Sequence, residues 1–292
     1  MQKRSLLYII VAGIGWGTSG LFVHWLQPFG FSSLQLTALR GLVSFLCMLV
    51  YVLIRDVRLL KVKPLELLTF LGSGVTLFGT AAFYYMSMQA SSIATGVVLM
   101  YMAPVYVMLF SVLFFGERLS RLKLISVVCM LAGCCLVAGV VGGMTINTEG
   151  VLFGVLSGLS YAAYNIMTKL EMRRQSSPVS ATLYNFLVVA IIGLCVCNPL
   201  VAVERIGENT AAAVPLIVAM GLATCFMPYV LYTLAMRTLP AGTASALAIV
   251  EPMSATVFGF MIGETLTVFS GIGIVLILLA VFLLGRAEST VQ

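Results

Sequence analysis

The most suggestive short motif is GWGTSG at positions 15–20, which fits the G-x-G-x-x-G pattern of dinucleotide-binding turns. Such a turn places a phosphate at a helix N-terminus and needs an acidic residue about 20 residues further on. Around that distance the chain offers Arg40, and its first acid is Asp56, beyond another apolar segment. We therefore interpret the glycines as packing residues, because Gly13 and Gly17 form a G-x-x-x-G pair that lets a second helix approach closely.

The same letters suggest a nucleophilic serine, because GTSG resembles the G-x-S-G pattern of intramembrane serine proteases. The only histidine, His24, lies five residues after Ser19. At about 100° per residue, the two side chains point about 140° apart on one helix. An intramembrane serine hydrolase would therefore need His24 from a neighbouring subunit, and it is the alternative from another class. We predict that the chain is not an enzyme and has no cofactor.

Two charged residues lie inside apolar segments. Glu251 is about eleven residues from either end of its segment, and an acid at the bilayer centre costs roughly 3 kcal/mol on insertion scales. We therefore expect Glu251 to be a counter-charge for a cationic substrate group, a protonatable coupling residue or a structural hydrogen-bonder. Arg40 is expected to be a structural cation that pairs with backbone carbonyls or with an acid, in preference to the alternative of a substrate-binding residue.

The composition sets the class of protein. Hydrophobic residues make up 61% of the chain, charged residues 9%, and the mean hydropathy is +1.11. A soluble domain does not have this composition, and a helix needs about 20 apolar residues to cross a bilayer. We predict an all-α membrane protein with ten spans. They are residues 5–26, 34–54, 65–88, 91–115, 122–143, 150–170, 179–202, 212–236, 240–262 and 267–285.

The basic residues indicate how these spans are oriented. If the N-terminus is cytoplasmic, Arg205 is the only one of the sixteen Lys and Arg in an outer loop, and Arg40 lies within a span. The positive-inside rule then predicts a multi-pass protein of the cytoplasmic membrane with both termini cytoplasmic. The net charge of +6 is explained by topology, so we predict no nucleic-acid partner. The seven cysteines fall in apolar spans without metal-ligand spacing, which predicts no metal site.

The two halves of the chain resemble each other. The matching pairs are YYMSMQ (84–89) with YTLAMR (232–237), Pro104 with Pro252, and FGERLS (115–120) with IGETLT (262–267). This predicts two repeats, residues 1–143 and 144–292, of five spans each. Because five is odd, the second repeat must be inverted in the membrane. Inverted repeats are typical of secondary transporters, with the substrate site near the midplane between the halves.

Several short motifs resemble the EamA-type family of drug/metabolite transporters over nearly the full chain. They are Trp16-Gly17, Arg40, Pro104 followed by Gly116-Glu117, and Glu251-Pro252 followed by Gly263-Glu264. The resemblance implies ten spans in two inverted five-helix units and a central cavity lined mainly by spans 1, 3, 4, 6, 8 and 9. It does not name the substrate, because the family includes exporters and importers of amino acids, amines, vitamins and other metabolites.

Polar and aromatic residues at helical spacing mark the candidate site, since such residues tend to face the interior of a membrane protein. The candidate substrate-binding residues are Trp16, Thr80, Tyr84, Tyr101, Tyr161, Tyr164, Asn165, Tyr232 and Glu251. A single Ser or Thr in a helix can instead bond its own i−4 carbonyl, and a terminal Tyr can be an interface anchor. Pro104, Pro228 and Pro252 are expected to be kinks or hinges.

The sequence contains no Walker A motif, so transport is expected to be driven by gradients. The main prediction is a secondary active transporter that moves a small polar organic metabolite, of the amino-acid or amine type, by alternating access. Aromatic rings near one carboxylate also suit a quaternary ammonium such as choline, so an organic-cation carrier is the alternative, and a channel is another. The expected partners are the substrate, the lipid bilayer and a coupling proton or cation. A monomer and a homodimer are both open.

Overall fold

The computed structural model describes residues 2–90, 96, 99–116, 120–137, 147–261 and 267–289, and within these ranges it contains helices and no strand. A helix satisfies every backbone polar group within its own segment, which a chain of this hydropathy needs in lipid. The helices are α1 Gln2–Gly17, α2 Ser19–Leu26, α3 Ser33–Arg55, α4 Pro64–Ala90, α5 Ala103–Phe115, α6 Arg121–Val137, α7 Thr148–Arg173, α8 Pro178–Val196, α9 Pro199–Glu208, α10 Thr210–Gly221, α11 Met227–Met236, α12 Ala241–Leu247, α13 Val250–Met261 and α14 Val268–Ser289.

Six helical segments are long and apolar enough to cross a membrane. They are Lys3–Leu26, Leu34–Arg55, Pro64–Ser87, Thr148–Arg173, Pro178–Val196 and Thr210–Met236. Two further apolar stretches, Ala103–Phe114 and Gly271–Ala280, are shorter. The helical membrane class is thus observed, while the count of ten spans stays a prediction. The boundary between the predicted repeats and the motif residues Glu117, Gly263 and Glu264 lie outside the described residues.

Helices of the first half pack mainly against helices of the second half. The α1 helix packs against α11 and α13, α3 against α8, α4 against α7 and α8, α5 against α7 and α12, and α6 against α14. Small residues permit this, because lipid gives helices no hydrophobic reason to associate. In the α3–α8 pair, a methyl group added at Gly41 would lie 2.7 Å from Val189 Cγ1, and one added at Gly193 would lie 2.8 Å from Ala38 Cβ.

The glycines of the first helix are packing residues, as the sequence predicts. A methyl group at Gly13 would lie 3.1 Å from Val250 Cβ, and one at Gly17 would lie 2.6 Å from Ser254 Cβ. The G-x-x-x-G face of α1 therefore touches the first turns of α13. Gly15 points to the other neighbour, where an added methyl group would lie 2.7 Å from Pro228 Cγ of α11. The motif thus lets α1 fit between α11 and α13.

Three predicted spans are interrupted, and a proline begins the helix after each interruption. Pro104 is the second residue of α5, which follows a turn at residues 101–102, and Pro252 is the third residue of α13, which follows a turn at residues 248–249. Pro228 is the second residue of α11, which follows a π-helical turn at Leu222–Phe226. A proline suits the first turn of a helix because its missing N–H has no partner there. The prolines therefore mark helix breaks, while hinge motion at them stays a prediction.

Candidate substrate site

Glu251 lies at the break between α12 and α13, in the first turn of α13, where the positive end of the helix dipole favours a negative charge. The Tyr101 hydroxyl, at the corresponding break before α5, lies close to the Glu251 carboxyl group. The guanidinium of Arg40 in α3 is in the same region. The acid at the centre of the predicted span is therefore placed near a hydroxyl group and a positive charge.

Arg40 of α3 lies in the same region of the interior as Glu251. Its guanidinium is near Cys225 of the π-helical turn, Tyr85, Tyr229 and Glu251. Direct pairing of Arg40 with an acid stays a prediction. Both charged residues are half-buried, whereas most aromatic side chains around them are fully buried. Arg40 and Glu251 thus form a pair of opposite charges in the interior.

Five aromatic residues pack beside these charges, and we call them the aromatic cluster: Trp16, Tyr161, Tyr164, Tyr229 and Tyr232. Trp16 lies with its ring centroid 5.1 Å from Tyr229 and 5.4 Å from Tyr232. Tyr164 lies 6.0 Å from Tyr229 in an edge-on arrangement and 6.5 Å from Tyr161 in a stacked one. The aromatic cluster therefore joins α1 of the first half to α7 and α11 of the second half.

Asn165 holds the aromatic cluster through two hydrogen bonds. Its Nδ2 donates to the carbonyl oxygen of Tyr161 at 2.6 Å, and its Oδ1 accepts from the hydroxyl of Tyr232. Asn165 is fully buried, so both bonds are shielded from water. Its side chain therefore fixes Tyr232 of α11 to α7.

Thr80 is arranged differently from the other predicted site residues. Its hydroxyl donates to the Thr76 carbonyl at 2.8 Å, which is the i−4 bond that a helix offers to threonine. Its own carbonyl oxygen accepts from Ser157 Oγ of α7 at 2.9 Å. In the structure Thr80 thus joins α4 to α7, and its contact with a substrate stays a prediction.

The charged pair and the aromatic cluster form one centre. Tyr161 belongs to the aromatic cluster and interacts electrostatically with Glu251. Tyr84 interacts with both Glu251 and Arg40. Of the predicted site residues, Tyr84, Tyr101 and Tyr161 therefore lie near Glu251. Tyr161 connects this group to Asn165 and to the rest of the aromatic cluster. Their role in binding a substrate stays a prediction.

Sequence reasoning missed two residues of this centre. Tyr229 contacts Trp16 and Tyr164, and its spacing of three residues from Tyr232 puts it near the same helix face, a signal that was readable in MPYVLY. Tyr85 lies near Arg40. This depends on how α4 is rotated about its axis, so the sequence could not show it. By contrast, His24 is exposed on α2 and Ser19 is half-buried at its start, which gives a hydrolase no shared site within one chain.

Broken helices inside a bundle of apolar helices are a feature of secondary transporters. Residues 3–139 and residues 148–286 each match the EamA-like transporter family. The chain therefore belongs to the EamA-like transporter family.

The relatives and a solved structure agree with this assignment. The chain is 33% identical over 279 residues to an uncharacterized transporter of Archaeoglobus fulgidus, covering 95% of each chain. It is 29% identical over 294 residues to the uncharacterized transporter YwfM of Bacillus subtilis, covering 96% of this chain and 93% of the relative. A crystal structure superposes with a TM-score of 0.80 over 100% of both chains at 18% identity, which shows a shared fold.

Proposed function

We propose that the protein is a secondary active transporter of small zwitterionic metabolites of the amino-acid type. The observation that carries this proposal is that two residues of opposite charge, Arg40 and Glu251, lie in the same half-buried part of the helix bundle. An amino acid carries an ammonium and a carboxylate a few ångströms apart, so one molecule can bind to both charged residues at once. A molecule with one charge would leave the other protein charge without a new partner, which is costly in a membrane interior.

The surrounding residues suit the two ends of such a substrate. A guanidinium binds a carboxylate through two parallel hydrogen bonds, which suits Arg40 to the acid end. The ammonium end would approach Glu251, where the rings of Tyr84, Tyr101 and Tyr161 can add cation–π attraction. The half-buried state of both charged residues leaves part of their surface free for a ligand.

The architecture supports transport by alternating access. The family matches twice along the chain, and helices of one half pack on helices of the other. Broken helices near the membrane midplane are a feature of inverted-repeat carriers, whose two halves rock around a central site. We propose ten spans in two inverted five-helix units in the cytoplasmic membrane, with both termini cytoplasmic. Gradients supply the energy, through a coupling proton or cation.

The organic-cation alternative is less well supported by the geometry. The guanidinium of Arg40 interacts with the same carboxylate that would bind the cation, and its positive charge opposes a second cation. The other class of function, a serine hydrolase using Ser19 and His24, would need the exposed His24 of a second subunit.

Thermal unfolding of the purified protein in detergent tests the proposal, because a ligand that binds only the folded state raises its stability. The increase is about 2.7 kcal/mol at about 100 times Kd. We expect amino acids to raise the Tm, and their decarboxylated amines and deaminated acids to raise it much less. The variants E251Q and R40Q should both lose the effect.

Two variants serve as matched controls, E149Q and R237Q. Glu149 and Arg237 are both exposed and lie at helix ends away from the centre. They should respond like the wild type. Stabilisation by amines or quaternary ammoniums that disappears only in E251Q would favour the organic-cation carrier. Equal stabilisation of wild type, E251Q and R40Q by amino acids would contradict the zwitterion site.

A further inference from the structure

A second buried acid, Glu171, lies outside the centre and has no part in the proposed substrate site. It is in the last turn of α7, near the end that the charge pattern predicts to be cytoplasmic, and its side chain is 0% exposed. Its Oε1 accepts from Ser73 Oγ of α4 at 2.8 Å. Its Oε2 is buried and has no hydrogen-bond partner among the described residues. A carboxyl group in this position calls for an explanation.

The hydrogen bond to Ser73 belongs to a network that joins three helices. With its amide oriented to suit its neighbours, Asn185 of α8 donates from Nδ2 to Ser73 Oγ at 2.6 Å and to the Phe70 carbonyl at 2.8 Å. Ser73 is thus left to donate to Glu171. Because α4 comes from the first half and α7 and α8 from the second, this network closes the interface between the halves at the cytoplasmic end.

Other polar contacts close the same end of the protein. Glu66 of α4 accepts from Ser176 Oγ at 2.7 Å, in the turn that follows α7. Tyr184 of α8 donates from its hydroxyl to the Leu60 carbonyl at 2.8 Å, and Ser180 Oγ donates to the Leu59 carbonyl at 2.8 Å. Glu171 lies among these closing contacts, so opening this side of the protein would expose it to water.

Buried hydroxyls continue from Glu171 toward the aromatic cluster. Thr168 Oγ1 and Thr233 Oγ1 are buried and make no hydrogen bond of good geometry to a described residue. Both lie beside the Tyr164 hydroxyl, which also interacts electrostatically with Glu171. On α7, Tyr164, Thr168 and Glu171 are spaced four and three residues apart and so lie on one face of the helix. These are the polar groups through which Glu171 would connect to the substrate centre on its inner side.

The charged groups that the structure describes around Glu171 would not neutralise the negative charge of its ionised carboxylate. Among the described residues, only Ser73 donates a hydrogen bond to this carboxyl group. Lys169 of the same helix donates to the carbonyl oxygens of Met236 and Leu239 at the end of α11. On the packed elements the other charged or titratable groups are Glu66 of α4, Tyr184 of α8, Arg237 after α11, and Arg173 and Tyr164 of α7 itself. A carboxylate buried in this way without a cation is costly, so the closed arrangement favours the neutral acid.

We propose that Glu171 is the proton-binding site of this carrier, loaded while the cytoplasmic side is closed and discharged when it opens. On opening, the O–H bond of the carboxylic acid breaks, the proton passes to cytoplasmic water, and the carboxylate becomes hydrated. Reloading occurs from the centre through Tyr164 and the two threonines. This proposal rests on the proposed function as a gradient-driven carrier, and it assigns the coupling role to Glu171, leaving Glu251 to the substrate.

Hydrogen–deuterium exchange of the purified protein at pH 6 and pH 8 tests the proposal. An exposed glutamate is ionised above about pH 5. Closing therefore takes up one proton, and the opening constant of segments 66–76 and 168–186 should rise up to about tenfold per pH unit. The E171Q protein carries a permanently neutral side chain and should stay protected at both pH values. The E149Q protein should behave like the wild type, because Glu149 is exposed at the other end of α7.

Two results would overturn the assignment. One is an equal pH dependence of opening in wild type and E171Q after correction for intrinsic exchange rates. The other is loss of protection in E171Q at pH 6, which would mean that the ionised carboxylate holds the helices together.

If the E171Q protein does not fold, infrared spectroscopy can test whether the Glu171 carboxyl group is protonated. The E251Q protein keeps Glu171 and should show a carboxylic-acid carbonyl band at pH 6 that shifts on the further change E171D. Absence of such a band would contradict the proposal. These measurements need no substrate. If the opening of the cytoplasmic end did not depend on pH, the proton site at Glu171 would be wrong, and the proposal that amino acids bind at Arg40 and Glu251 would still stand or fall by its own test.

Discussion

At the scale of single residues, Tyr229 connects the two parts of the centre. Its ring contacts Trp16 at 5.1 Å, Tyr164 at 6.0 Å and Phe186 at 5.2 Å, and its hydroxyl end lies near Arg40. One side chain therefore links α1, α7, α8 and α3 to α11. A change at this position should affect the fold and the site separately, depending on whether the ring or the hydroxyl is removed.

We expect Y229A to destabilise the protein by about 3–5 kcal/mol, because it removes a packed aromatic ring and leaves a cavity. Y229F keeps the ring and should unfold within a degree or two of the wild type. Any loss of amino-acid binding in Y229F then reports on the hydroxyl beside Arg40. The measurement is thermal unfolding with and without amino acids. Equal unfolding temperatures of Y229A and wild type would show that the ring does not contribute to packing.

The residue types of the site could be predicted from the sequence, while their partners could not. An acid in the middle of an apolar span is costly, so Glu251 was a candidate from its position alone. That Arg40 lies near Glu251, and that Glu171 is buried, depend on the rotation of helices about their axes. Short stripes of polar residues leave this rotation undetermined. Glu171 also lies one residue beyond the predicted sixth span, which hid its burial.

At the scale of helices, the fit of α1 between α11 and α13 depends on glycine. A methyl group at Gly17 would lie 2.6 Å from Ser254 Cβ and 3.0 Å from the Glu251 carbonyl oxygen, so α13 would have to move. Gly20, three residues later, has nothing within 4 Å of the equivalent methyl position. The same substitution at the two positions therefore separates the effect of close packing from that of helix propensity.

We expect G17A to destabilise the protein by about 1–3 kcal/mol, as overpacking does. G20A should be neutral or should stabilise by up to about 1 kcal/mol, since alanine favours helix over glycine. Thermal unfolding of both variants is the measurement. If G17A and G20A unfold at the same temperature, the α1–α13 contact is looser than the structure shows. G17A should also weaken amino-acid binding, because Glu251 belongs to the displaced turn.

The hydropathy of the sequence predicted that helices are present, but the sequence predicted only some of the helix breaks. The prolines indicated where α5, α11 and α13 begin, because a proline fits the first turn of a helix. The π-helical turn at Leu222–Phe226 has no comparable signal in the sequence. It arises where α10 and α11 must pack against both α1 and α3, which is a property of the assembled bundle.

At the scale of the whole molecule, the described helices of each half pack mainly against helices of the other half. The pairs α3–α8, α4–α7 and α6–α14 each join the first half to the second. We therefore expect residues 1–143 expressed alone to aggregate or to be degraded. When residues 144–292 are expressed beside them, the two pieces should copurify and unfold together. Size-exclusion chromatography and thermal unfolding are the measurements, and a folded monomer of either half alone would contradict the expectation.

Contacts between the halves are what an inverted repeat would produce, because its twofold axis in the membrane plane relates helices of one half to those of the other. The inverted arrangement itself stays a prediction. The sequence could not show which helices meet, because that depends on small residues such as Gly41 and Gly193 and on the side chains opposite them. Only the assembled bundle contains this information.

The position of Trp16 makes its intrinsic fluorescence a reporter of changes in the centre. The chain has two tryptophans, and Trp25 is 44% exposed on α2, whereas Trp16 is 6% exposed and lies against Tyr229 and Tyr232 in the centre. Replacing Trp25 with phenylalanine would leave one emitter, located where a substrate would arrive. Binding of a substrate to the centre could then be followed by the emission wavelength and intensity of this tryptophan, in real time and without a label.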